Sequence, residues 1–120
     1  MVIKYRDEET AKAEGPLQFI YKDILDVEED YLMFLNPCLI FLSCETILKK
    51  IQEFAESPYE YGTSVKPFKN WLWDVENKAI TYIDYKRLTT KEITPWYQAA
   101  HCFHIFNKNN FKKDGYMLTE

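Results

Sequence analysis

Asn36-Pro37-Cys38-Leu39-Ile40-Phe41-Leu42-Ser43-Cys44-Glu45-Thr46-Ile47-Leu48-Lys49-Lys50-Ile51-Gln52-Glu53-Phe54-Ala55-Glu56 is the longest stretch of this 120-residue chain with a consistent apolar period. Ile40, Cys44, Ile47, Leu48, Ile51, Phe54 and Ala55 fall on one face of a 3.6-residue repeat, and Lys49, Lys50, Gln52 and Glu53 fall on the other. Asn36 offers a capping side chain and Pro37 has no N–H to lose, so the spacing predicts a central helix from Pro37 to Glu56. Its first turns, Cys38 to Leu42, are apolar all round and are expected to be buried.

Working outward toward the N-terminus, Leu17, Ile20, Tyr21, Ile24 and Leu25 repeat at helical spacing behind Pro16, which predicts a short helix over Pro16–Leu25. Asp26 followed by Glu29 reads as a capping box opening a second helix over Val27–Leu35, although Tyr31-Leu32-Met33-Phe34-Leu35 suits a strand equally well. Toward the C-terminus, Ser57-Pro58 ends the central helix, and Tyr59 to Pro67, with Gly62 and two prolines nearby, reads as a loop. Trp71, Trp73 and Val75 alternate with Asn70, Leu72 and Asp74. A turn at Glu76-Asn77-Lys78 and the return Ala79–Lys86 complete an expected antiparallel hairpin. Thr89 with Glu92, then Thr94-Pro95, predict a last helix over Pro95–Asn107, and Tyr116-Met117-Leu118 an edge strand. The expected class is therefore α+β in one globular domain over residues 1–120: a helical N-terminal half with a central helix, an antiparallel β-hairpin and a C-terminal helix in one core.

Composition narrows the function classes. Net charge is −4, and residues 1–30 hold nine acids against four bases, while the chain has only two arginines. Direct nucleic-acid binding needs a basic stripe to exchange with phosphate counterions, so it is not expected. Cys38, Cys44 and Cys102 form no CxxC pair and no even set, which suggests reduced thiols and a cytoplasmic location. The N-terminus shows no export pattern, and the longest strongly apolar run, Pro37 to Leu42, is too short to cross a bilayer, so no membrane association is expected.

No motif for a nucleophile, a phosphate loop or a resident metal stands out, and no cofactor is expected. His101 and His104 lie at i, i+3, on one face of the expected last helix, where they could offer two metal ligands or an acid–base group. Cys102 sits between them, but near neighbours on a helix point apart, so a dyad within that helix is geometrically poor. Asp74 and Asp84 are a paper pair of carboxylates across the hairpin, and the sequence gives no sign of which would be buried.

Asp26, Glu28, Glu29 and Asp30 are four acids in five residues. Capping and the helix dipole would account for about two of them. The surplus predicts a contact surface for a basic protein, joined by Tyr59, Glu60 and Tyr61 in the expected loop. The two tryptophans of the hairpin are expected in the core. Together these features predict a small acidic inhibitor that binds by occlusion, such as an immunity protein covering the cationic active site of a toxin, a nuclease among the candidates. The alternative is a small enzyme or ligand-binding domain with an aromatic pocket that uses His101 or His104. Oligomeric state is not readable from these features.

Overall fold

The computed structural model describes residues 3–12, 14–83, 86 and 89–118, with the side chain of Ile24 outside that set. The protein is α+β. Its elements are α1 (Glu8–Lys12), α2 (Leu17–Ile20), a single 3-10 turn (Lys22–Ile24), β1 (Tyr31–Leu35), α3 (Cys44–Ala55), β2 (Tyr61–Phe68), a second 3-10 turn (Thr90–Glu92), β3 (Trp96–Asn107) and α4 (Lys108–Asp114). The three strands form a sheet in the order β1-β3-β2. The chain falls into two compact units, Met1–Ser64 with His101–Glu120, and Val65–Ala100.

In the first unit β1 pairs antiparallel with the end of β3, Leu32 opposite Phe106 and Phe34 opposite His104. β2 lies antiparallel on the other side of β3, since Glu60 meets Asn107 and Ser64 meets Cys102. Strand alternation then sorts the side chains. Leu32, Phe34, Phe106 and Tyr61 pack with Leu17, Tyr21, Leu25, Phe111 and Met117 into the main core. Phe106 and Phe111 are fully buried, with ring centroids 5.1 Å apart. On the opposite face Tyr31 meets Phe54 of α3 edge-on at 5.7 Å. Gly62 lets the backbone approach closely here, since a Cβ at that position would lie 3.0 Å from the Phe54 ring, tighter than an ordinary contact.

Several sequence expectations are corrected. The central helix starts at Cys44 and not at Pro37: Ser43 caps it by accepting from Thr46 N–H at 3.2 Å. Asn36-Pro37 instead opens a turn in which Leu39 N–H donates to the Asn36 carbonyl. Asn at the first and Pro at the second position of a turn mimic the start signature of a helix. Cys38 to Leu42, expected inside, is largely open, with Ile40 80 % and Phe41 95 % exposed.

No helix opens at Asp26; residues 26–30 are irregular and lead directly into β1. The expected C-terminal helix is the strand β3. Phe103, His104, Ile105 and Phe106 are all buried, as befits a central strand covered on both faces, and such a continuous apolar run cannot be told from a buried helix by period. The Thr89 signal is real but short: its side chain caps only the single turn Thr90–Glu92. Tyr116–Leu118, expected as an edge strand, forms no strand; ahead of it lies the helix α4, which Asn107 caps and Gly115, at φ 79°, ends. Tyr59–Pro67, read as a loop, is mostly the strand β2.

In the second unit the hairpin shrinks, among the described residues, to an isolated bridge between Trp73 and Ala79. Its turn forms as expected, with Asp74 Oδ1 accepting from the N–H groups of Glu76 and Lys78 and Asn77 at positive φ. Thr81 continues the pairing with its side chain, accepting from Leu72 N–H at 2.9 Å. Trp73 is exposed, contrary to its expected place in the core. Asp84, and with it the paper pair Asp74/Asp84, lies outside the described residues.

Candidate functional site

Because β1 and β2 both run antiparallel to β3, the segments that enter them arrive at the same end of the sheet. There the junction of β3 and α4 ties both down. Lys108 N–H donates to the Asp30 carbonyl at 2.7 Å, and Asn107 N–H donates to the Glu60 carbonyl at 3.1 Å. Lys108 Nζ reaches further and donates to the Val27 carbonyl at 2.6 Å. The Glu60 carboxylate accepts from Asn110 Nδ2, on the first turn of α4. Two clusters thirty residues apart in sequence are thus fixed to one pair of adjacent residues.

Asp26, Glu28, Glu29 and Asp30 are exposed, as is Glu60. Tyr59 is 70 % exposed. Tyr61 has a different place: its ring packs against the main core and its hydroxyl donates to Asp114 Oδ2 at 2.8 Å. Asn107 and Lys108, which organise this end of the sheet, were not singled out from sequence. The only trace of them is a capping residue ahead of a polar run, hidden by the helical reading of the preceding strand.

A second cluster surrounds His104. In a regular strand residues three apart face opposite sides, yet the rings of His101 and His104 lie 5.7 Å apart. The cause is a bulge: His101 adopts φ 53°, and the N–H groups of Cys102 and Phe103 both donate to Ser64 Oγ. Thr63 Oγ1 lies 3.3 Å from the Phe103 carbonyl and 2.9 Å from His104 Nδ1. With its hydrogen on that carbonyl, the hydroxyl accepts from Nδ1–H and leaves Nε2 as the basic nitrogen. Burial lowers the pKa of His104, and the neighbouring His101 lowers it further. Among the described residues no group of three or more His, Cys, Asp or Glu is placed to hold a metal ion. Cys38 and Cys44 are exposed and Cys102 is half-buried, and none forms a disulfide.

The second unit contains a cleft of about 570 Å³ whose walls include Tyr82, Glu92, Pro95, Trp96 and Tyr97; neither His101 nor His104 lines it. In the first unit a groove of about 440 Å³ lies between α3 and the sheet, walled by Tyr31, Met33, Ile51, Phe54, Tyr59 and Ile105. No helix among the described residues is long and apolar enough to cross a membrane.

No protein-family model matches the chain, and no curated protein matches it.

Proposed function

We propose that the protein is a small acidic inhibitor that binds a basic protein partner, of the immunity type that neutralises a toxin by covering its active site. The observation that carries this reading is the joining of Asp26–Asp30 to Tyr59 and Glu60 through the adjacent backbone N–H groups of Asn107 and Lys108. Acids at 26–30 need another explanation once no helix starts there, since the dipole and capping preferences do not apply. Exposed carboxylates held on anchored backbone speed encounter with a cationic protein and pair with the Lys and Arg side chains that otherwise grip phosphate. A cytoplasmic site of action fits three cysteines that form no disulfide.

Capture from the native cell on immobilised wild-type protein, run beside the triple variant Glu28→Lys, Glu29→Lys, Asp30→Lys, tests this function. Retention of a basic enzyme by the wild type, its loss on the variant and its inhibition on adding the protein back support it. Equal retention on both, or a retained protein whose activity is unaffected, counts against it.

The paired rings of His101 and His104 favour a second reading, a small enzyme or ligand-binding domain using one of them as acid–base or metal group. Elemental analysis separates the two: about one equivalent of metal, lost on His101→Ala, favours the second.

A further inference from the structure

We infer that the outer edge of β1 docks an extended strand of the partner, which pairs antiparallel with Tyr31–Leu35 and carries Lys or Arg at its C-terminal end. This rests on the basic-partner reading and specifies how such a partner engages.

The register of β1 decides which groups are open. Asn36 N–H donates to the Cys102 carbonyl at 3.0 Å, and the Asp30 carbonyl accepts from Lys108 N–H, so the even-numbered residues of this segment bond to β3. The N–H and C=O groups of Tyr31, Met33 and Leu35 point the other way. β1 is an outer strand of the sheet, and no described residue outside it is hydrogen-bonded to those groups. An open edge of this kind is a template for another strand, and proteins usually guard it with charge or proline. The other outer strand, β2, carries Lys66 and Pro67, whereas β1 is Tyr-Leu-Met-Phe-Leu with neither.

On the face of β1 that meets α3, Tyr31 and Met33 line a groove with Ile51 and Phe54, an apolar surface for those side chains of an added strand that fall on the same face. Charge then selects the occupant. The backbone leading into β1 carries the exposed Asp26, Glu28, Glu29 and Asp30, while Asn36-Pro37 at its other end carries no charge. In antiparallel addition the C-terminal end of the incoming strand lies beside Asp30, where a cation is matched. A second copy of this chain, pairing β1 with itself about Met33, would bring Asn36 there, with no cation to offer.

Hydrogen exchange followed by NMR tests the site with three short capped peptides of alternating Val and Thr: one ending in a Lys pair, one beginning with it, and one ending in a Glu pair. The expected result is exchange slowed by about tenfold or more at Tyr31, Met33 and Leu35 with the first peptide, weaker protection with the others, and no change at Leu32 and Phe34. Met33→Pro removes an outward N–H without touching a bond to β3 and should abolish the effect; if that variant does not fold, the wild-type pattern decides alone. Equal protection by all three peptides overturns the basic-strand proposal and weakens the basic-partner reading with it. Perturbation confined to Glu28, Glu29 and Asp30 overturns strand docking and leaves that reading standing. Absence of any effect overturns the proposal, as does protection that grows with protein concentration before any peptide is added, which identifies a second copy as the occupant.

Discussion

The backbone N–H of Lys108 donates to the carbonyl of Asp30 across 78 residues of chain, at 2.7 Å, and so makes the acidic segment part of the sheet's end. Neighbouring Asn107 does the same for Glu60. Two segments that sequence alone marks as separate therefore share one anchor.

That anchor depends on the start of α4. Asn107 Oδ1 accepts from the N–H groups of Asn109 and Asn110 at 2.9 and 3.3 Å, so Asn107→Ala should cost about 1 kcal/mol. Chemical denaturation measures the loss. The variant should also lose rigidity at Glu60, whose carboxylate is held by the first turn of α4, and faster exchange of the residue-107 amide, which donates to the Glu60 carbonyl, would report it.

Gly62→Ala should destabilise the protein by about 1–3 kcal/mol, because the new methyl meets the Phe54 ring at 3.0 Å. Thermal melting checks this, and combination with Phe54→Leu should recover part of the loss if that contact is the cause.

Phe111 is 0 % exposed and packs against Phe106, its ring tilted by 43°, at the centre of the main core. Phe111→Ala is expected to cost about 3–5 kcal/mol, a large share of a small domain's stability, seen as a lower denaturation midpoint at unchanged slope.

His104 gives stability a pH dependence of known sign. Its folded pKa is depressed, by burial first and by His101 second, so the folded state favours the neutral ring. Its contribution is fully present above the ordinary histidine range near 6.5 and is lost as pH falls through the lower folded value. Denaturation midpoints should therefore drop on acidification below that range. His101→Gln should narrow the window, and a pH profile identical to the wild type would contradict the coupling.

How far the sequence could be read follows from which physical signals were unique. The amphipathic stripe from Cys44 to Ala55 has a helical period and is a helix; the Asp74–Lys78 turn rests on side-chain acceptors and forms. Asn36-Pro37 was ambiguous, since a turn and a helix start ask for the same two residues. Phe103–Phe106 was ambiguous for another reason: burial on both faces erases the alternation that marks a strand. Acidity at residues 26–30 and its grouping with Glu60 were expected from composition, but the bonds through Asn107 and Lys108 that hold the two segments were not, because they depend on a sheet order that no local pattern encodes. The pairing of His101 with His104 was expected from helical spacing, and it arises instead from a bulge within a strand.

The association rate of the captured partner, followed by stopped flow at low and high salt, tests the acidic surface most directly. The account predicts a wild-type rate that falls steeply with salt, and for the Glu28→Lys, Glu29→Lys, Asp30→Lys variant a slower rate with a much flatter dependence. An unchanged rate and an unchanged salt slope in that variant would contradict it.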